Sequence, residues 1–250
     1  MISRRKILFS LKSLTRGESR FGNLSKFLPK EILTYFGILT RSPVKVLDDK
    51  FLFEKFVKEA TNREPLNSLD LYVEELLNNN EMKTHCQKVF RNYKNEREKN
   101  ISWENMISTK SHLVVFYYAL IREVKPFSIL ETGTASGSAT KFLLLALQKN
   151  NYGSLTSIDL PPIEGKLTMG MTLSRENIGY WIPDSCKKFW NYIEGDAKEI
   201  LNEKLISAKT DLFIHDSLHS ASHMAFEYRV ARNILKPDAI ILSDDVLYWN

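Results

Sequence analysis

Cysteine is scarce: the 250 residues include two, Cys86 and Cys186. A disulfide scaffold and a four-cysteine zinc site are therefore out, and the expected setting is a reducing one, the cytoplasm. Glycine and proline are also few, 10 and 8, which excludes collagen-like and linker-like chains. Long apolar runs are missing. Ser111–Val124 is broken by His112 and Arg122 and falls short of the roughly 18 apolar residues a membrane span needs. No transmembrane segment is expected. Neither charge sign dominates, with 35 Lys and Arg against 30 Asp and Glu. The basic residues are interleaved with acids, so no nucleic-acid partner is expected.

What is there suits a globular protein. The chain is 43% hydrophobic and 26% charged, enough to bury a sizeable core. Its start is basic: Arg4, Arg5, Lys6, Lys12, Arg16 and Arg20 face one acid, Glu18. Lys12 interrupts Ile7–Leu11, which argues against a secretory signal. The segment reads as a solvated basic arm, with an organelle address or membrane-surface role as the other reading.

The character of the chain changes near residue 100. Residues 1–110 read as a helical extension or cap, with residues 111–250 as a second unit. Phe51–Ala60 repeats Phe53, Phe56 and Val57, and Leu69–Asn78 repeats Leu69, Tyr72, Val73, Leu76 and Leu77, all at helical spacing. Met82–Lys99 is polar and reads as an exposed helix. From Ser111 the pattern alternates in the βα manner. Strands are expected at Phe127–Glu131, Ser154–Asp159, Phe189–Ile193, Asp211–His215 and Ala239–Leu242. Helices are expected at Ser111–Lys125, Ser136–Gln148, Lys198–Ser207 and His219–Leu235. This alternation implies an α/β fold, a parallel sheet with helices on both faces, whose ligands bind at the carboxyl ends of the strands.

Acidic groups stand at those ends: Glu131, Asp159, Asp196, Asp216 and the pair Asp244-Asp245. The first turn runs Glu131-Thr132-Gly133-Thr134-Ala135-Ser136-Gly137-Ser138. Gly133 and Gly137 permit a sharp strand-to-helix turn and close approach of a ligand. The dinucleotide spacing G-x-G-x-x-G is broken by Ala135 and Ser138, and no phosphate-loop Gly-Lys-Ser/Thr follows. A carboxylate at Asp159 can accept both hydroxyls of a ribose, and Asp196 can meet an adenine amino group. Each aspartate alone also fits a loop or helix cap; together with the turn they describe an adenosine site.

The segments ETGTASGSAT, LTSIDLP, GYWIPDSCKKFW, GDAKEIL, DLFIHDSLHSASHMAFEYRVARNILKP and IILSDDV resemble the class I S-adenosylmethionine-dependent methyltransferases. The resemblance runs over about residues 110–247 and is nearest the methyltransferase domain 24 group, similar to small-molecule and sugar O-methyltransferases. It implies a Rossmann-like, doubly wound, mainly parallel sheet in the order 3-2-1-4-5. It also implies S-adenosylmethionine as cofactor, with Glu131, Gly133, Thr134 and Gly137 around its amino-acid part. Ser138 would lie at the helix start, Asp159 on the ribose and Asp196 at the adenine. Two departures stand out. Lys236-Pro237-Asp238-Ala239 replaces the usual Lys-Pro-Gly-Gly, and the closing strand pair after the fifth strand is missing, so Ala239–Leu242 becomes an apolar sheet edge that needs cover. The N-terminal helices, a second copy of the chain or a continuation of it could supply that cover; hence homo-oligomerisation through the open edge is one expectation.

Three chemistries fit the histidine-rich stretch. Asp216, Asp244 and Asp245 could converge on a divalent cation such as Mg²⁺, orienting an acceptor hydroxyl; the metal-dependent catechol-type O-methyltransferases place Asp, Asp and Asn similarly. His219, beside Asp216, could serve as general base without metal. His215, His219 and His223 fall at i, i+4 and i+8 and could bind zinc if they shared a helical face. Helix capping by Asp216 or Ser217, with surface histidines, is the plain structural alternative. Tyr180-Trp181 and Phe189-Trp190 fit either the packing of a long crossover or an aromatic wall for an acceptor. The expected reaction is methyl transfer to a small-molecule or sugar hydroxyl. Its rivals are a cofactor-binding but catalytically silent interaction module, and a nicotinamide dehydrogenase, which Ala135 and Ser138 disfavour.

Overall fold

The structure is a computed structural model. It describes residues 6–9, 49–92, 102–108, 112–161, 167–168, 171–172, 174–201 and 209–243. Eight strands lie among them: β1 (Lys6–Phe9), β2 (Ser128–Thr132), β3 (Ser154–Asp159), β4 (Leu167–Thr168), β5 (Met171–Thr172), β6 (Trp190–Glu194), β7 (Thr210–His215) and β8 (Leu235–Ser243). The helices are α1 (Asp49–Thr61), α2 (Leu69–Leu77), α3 (Asn80–Asn92), α4 (Trp103–Ser108), α5 (His112–Val124), α6 (Thr140–Asn150), α7 (Ala197–Ile200) and α8 (Ala221–Ile234).

Six strands form one sheet in the order β1-β8-β7-β2-β3-β6, and every neighbouring pair is parallel. The five strands expected from the sequence take the order 3-2-1-4-5, the Rossmann-like arrangement of class I methyltransferases. β4 and β5 form a separate small antiparallel hairpin.

Period-two alternation sends successive side chains to opposite faces, and both faces are covered. Ile129, Leu155, Leu212, Ile214, Ile240 and Leu242 pack with α5 and α6. Leu130, Ile158, Phe213, Ala239 and Ile241 pack with α7 and α8. Parallel strands buried on both sides read as apolar runs such as Ala239–Leu242, which is why the sequence marks them clearly.

Helix α5 is buried all round, from Val114 to Ile121, because it lies between the sheet and the helices that precede it. Phe53 meets Tyr72 and Phe116 edge-on, at ring separations of 6.0 and 5.6 Å. Trp103 stacks on Phe142 at 5.3 Å and donates its indole N–H to the Leu76 carbonyl. Each fully buried large side chain of this kind contributes about 1.5–3 kcal/mol. A polar anchor holds the same junction. The Glu123 carboxylate accepts from Arg63 at 2.8 Å, the Tyr72 hydroxyl at 2.6 Å and the backbone N–H groups of Leu66 and Asn67. The helices before residue 110 thus share one apolar core with the sheet.

Several expectations need correction. Helix α3 is not an exposed helix, since Met82, Cys86 and Val89 bury one stripe of it; the remainder of Met82–Lys99 lies outside the described residues. The basic start is not only an arm. Within it, β1 pairs in register with β8, Lys6 opposite Ile240 through Phe9 opposite Ser243. The fifth strand is therefore no open edge, and its cover is a strand from the N-terminal segment rather than helices. The Lys236-Pro237 stretch forms no separate turn: β8 begins directly after α8, with a register shift opposite Thr210 and Leu212. No helix among the described residues is long and apolar enough to cross a membrane.

Candidate active site

Strand order reverses across β2, which lies between β3 and β7. The crevice at the carboxyl ends of these strands is where such sheets hold ligands. On one side of the sheet the structure brings together Glu131, Thr140, Ser157 and Trp190. The buried Glu131 carboxylate accepts from Ser157 at 2.6 Å and from Thr140 at 3.0 Å. Ser157 in turn accepts from the Trp190 indole at 2.9 Å. Burial pushes the Glu131 carboxyl up to about 7, and the nearby Asp159 charge adds to this, against the pull of the Ser157 and Thr140 hydroxyls.

The turn after β2 is folded onto protein. Gly133, Ala135 and Gly137 all have left-handed backbones, with φ of +88°, +46° and +79°. A Cβ on Gly133 would sit 2.1 Å from the Asp216 carbonyl oxygen, so this glycine is required by the close approach of the segment after β7. A Cβ on Gly137 would meet Ile182 and Gly179 at 2.9 and 3.0 Å. The turn is tied to that segment by Gly179 N–H to the Ala135 carbonyl and Trp181 N–H to the Ser136 carbonyl. Both glycines are thus required by close packing of protein on the turn. Thr134 is buried, and Ser138 is exposed ahead of α6.

Asp159 links this turn to β3. Its Oδ2 accepts from the N–H groups of Thr134 at 2.9 Å and Ala135 at 2.6 Å, and its Oδ1 accepts from Leu160 N–H at 2.8 Å. A carboxylate offers about four acceptor positions, so one is left for a ligand. Asp196 caps α7, its Oδ1 accepting from Lys198 N–H at 2.8 Å. This is the helix-cap arrangement that the sequence allowed.

On the other side of the sheet lies a buried cluster that sequence reasoning missed. Glu227, on α8, has no solvent exposure. Its Oε2 accepts from Thr132 Oγ1 at 2.7 Å and His215 Nδ1 at 2.6 Å. Its Oε1 accepts from His223 Nε2 and Ser217 Oγ, both at 2.8 Å. Burial opposes the charge, yet the hydrogen bonds from His215 and His223 outweigh it and lower this carboxyl to about 2. The i, i+4 pairing of His223 with Glu227 was the available signal.

The three histidines do not share a helical face. His215 ends β7, His219 lies in the turn, and His223 is in the first turn of α8, whose N-cap is Ser220. The zinc arrangement is thereby overturned, and neither Asp216 nor Ser217 is the cap. Asp216 and His219 do come together, Oδ1 to Nε2 at 3.7 Å, both partly exposed. The His219 ring meets the His215 ring edge-on at 5.4 Å. Asp244 and Asp245 lie outside the described residues, and among the described residues no three His, Cys, Asp or Glu side chains are arranged to hold a metal ion.

Trp181 belongs to the core, and Tyr180 packs beside it at 5.4 Å between ring centres, which is the packing reading of that aromatic pair. Cys186 is fully buried, and burial pushes its thiol up to about 12. It is no nucleophile.

Comparison with known proteins bears on this edge. Residues 130–246 match the family model described as methyltransferase domain. No curated protein gives a significant match. Among solved structures, the methyltransferase PaMTH1 of Podospora anserina, bound to S-adenosylhomocysteine, is 17% identical, with a TM-score of 0.41 over 70% of this chain and 66% of that one. The O-methyltransferase TomG of Streptomyces achromogenes, in complex with S-adenosylmethionine, is 15% identical, with a TM-score of 0.43 over 78% and 74%. The Bacillus cereus O-methyltransferase in complex with S-adenosylhomocysteine is 15% identical, with a TM-score of 0.37 over 74% and 68%. The matched stretch, residues 130–246, spans the glycine turn, Asp159, Asp196 and the Asp216–His219 segment, and it is this part of the chain that is similar to a methyltransferase domain.

Proposed function

We propose that the protein transfers a methyl group from S-adenosylmethionine to a hydroxyl oxygen of a small-molecule acceptor. The observation that carries this reading is Asp159. Its carboxylate joins the end of β3 to the glycine turn through Thr134 and Ala135 and keeps one acceptor position for a ligand. Glu131, Gly133, Thr134, Gly137 and Ser138 shape the turn on which the amino-acid part of the cofactor would lie, with Asp196 at the adenine end. Left-handed φ at Gly133, Ala135 and Gly137 holds the turn in its shape before any ligand arrives, which lowers the ordering cost of binding.

When bound, the sulfonium of the cofactor supplies an electrophilic methyl group. The chain's part is to position the acceptor and take its proton. His219 is the base in this reading: Asp216, whose Oδ1 lies 3.7 Å from His219 Nε2, favours the imidazolium that forms when the ring takes the hydroxyl proton. Proximity is worth several kcal/mol in such a step. A second reading, in which Asp216, Asp244 and Asp245 hold Mg²⁺, draws support only from the position of Asp216 at the end of β7.

Titration calorimetry with S-adenosylhomocysteine tests the cofactor site: wild type should bind, and Asp159→Ala should bind about 10- to 100-fold more weakly, the loss of a charged hydrogen bond. Methyl transfer to a panel of phenols, sugars and carboxylic acids tests catalysis. Cofactor binding with no transfer to any acceptor would favour a silent binding module. Full activity in excess chelator, lost in His219→Ala, would favour the histidine base; loss on chelation with cofactor binding intact would favour the metal.

A further inference from the structure

Tyr192 stands in the middle of β6, in register with Ser157. In parallel strands paired residues point to the same side and side chains alternate. Trp190, Tyr192 and Glu194 therefore share a face with Ser157 and Asp159. The Trp190 bond to Ser157 at 2.9 Å confirms that face, and the Tyr192 ring lies 5.6 Å from Trp190. Gly179, tied to the glycine turn, packs on the outer edge of Trp190. The glycine turn, the Gly179 turn, Trp190, Tyr192 and Asp159 thus form one continuous wall.

In that wall the Tyr192 hydroxyl is out of contact with solvent and has no hydrogen-bond partner. Burial, with the neighbouring charges of Asp159 and Glu194, holds the phenol above its ordinary value, so it is a donor at neutral pH. A buried donor without an acceptor costs about 1–3 kcal/mol, a cost that a ligand oxygen would remove. The counting on Asp159 points the same way. Three of its four acceptor positions are taken by N–H groups. A vicinal diol brings two hydroxyls, of which Asp159 can take one; the other needs a donor.

We infer that Tyr192 is a second ribose contact, its hydroxyl donating to one ribose oxygen while the other hydroxyl donates to Asp159. The inference rests on the proposal that S-adenosylmethionine binds at the ends of β2, β3 and β6. It makes recognition of the diol a shared task of two strands, and it gives Tyr192 a role in binding and none in proton transfer.

Tyr192→Phe in the full chain tests it, with S-adenosylhomocysteine as the probe. The variant should bind about three- to tenfold more weakly, the range of one neutral hydrogen bond, while its ligand-free thermal midpoint holds or rises. The analogue lacking both ribose hydroxyls should bind wild type and variant equally. Unchanged affinity for S-adenosylhomocysteine, or an equal loss with the analogue, would overturn the inference and leave the cofactor site standing. A lower ligand-free midpoint would show that the hydroxyl has a protein partner, and would also overturn it. If wild type binds neither compound, the cofactor reading itself falls and takes this one with it.

Discussion

Glu227 Oε2 stands 2.6 Å from His215 Nδ1, and neither side chain touches solvent. An ionised carboxylate only accepts, so His215 Nδ1 is the donor in this bond. The same carboxylate gathers Thr132 from β2, Ser217 from the turn and His223 from α8. It fixes the segment that carries Asp216 and His219 against the end of the central strand.

The pH dependence of Glu227 follows from its lowered value. The folded carboxyl titrates at about 2, against an ordinary 4.5. A depressed acid contributes stability that is present above about 4.5 and is lost as pH falls from there toward 2. Glu227→Gln should remove that part of the acid slope. Glu227→Ala, which strands its four donors, should lower stability at pH 7 by about 3–5 kcal/mol in urea unfolding. Equal acid slopes in wild type and Glu227→Gln would sink this account.

Glu131 behaves with the opposite sign. Its folded value is raised from 4.5 to about 7, chiefly by burial. Between those values the folded state holds more proton than the unfolded, so stability declines as pH rises from about 4.5 to 7 and levels off above. The decline is on the order of 3 kcal/mol. Denaturant midpoints measured from pH 5 to pH 8 should show it in wild type and lose it in Glu131→Gln.

Gly133→Ala should be severe. The new Cβ would fall 2.1 Å from a backbone oxygen that has no free rotation, at a φ of +88°. Left-handed strain alone costs about 1–3 kcal/mol, and the clash adds to it by forcing the segment after β7 away from the turn. We expect a loss above about 3 kcal/mol in unfolding, or failure to fold. A variant of near wild-type stability would mean that the turn and the Asp216 segment are not in contact.

The pairing of β1 with β8 is open to a direct check. Removing residues 1–10 should expose the backbone of Ile240–Leu242 on one side, since these residues pair with Lys6–Leu8. Hydrogen exchange should quicken at alternate amides there, and the shortened chain should aggregate more readily, as bare apolar edges do. Unchanged exchange would show that β1 gives no cover.

Much of the architecture was legible because it is local. The short stretches Ser154–Asp159, Asp211–His215 and Ala239–Leu242, rich in β-formers and punctuated by turns, announce parallel strands. The stop of α6 at Asn151, in a left-handed conformation with φ of +48°, matches the Asn150-Asn151-Tyr152-Gly153 signal. The family motifs likewise lie in short stretches, so the methyltransferase reading and the candidate positions Glu131, Gly133, Asp159 and Asp216 followed from order and spacing.

The sequence by itself therefore determined the strand and helix alternation, the motifs that resemble a methyltransferase, and which residue types stand at the strand ends. Tertiary structure decided how those residues are used. Thr132 and Glu227 are 95 positions apart, Trp190 and Ser157 are 33 apart, and Lys6 pairs with Ile240; no local pattern encodes such distances. The histidine spacing suggested one helical face, but a strand, a turn and a helix divide it. The glycine turn was visible in the sequence, but that Asp216 and Gly179 pack where a Cβ on Gly133 or Gly137 would stand was not. Periodicity reports the face a residue turns to its own element, whereas the partner on that face is set by how distant elements pack, and the chemistry of the site depends on the partner.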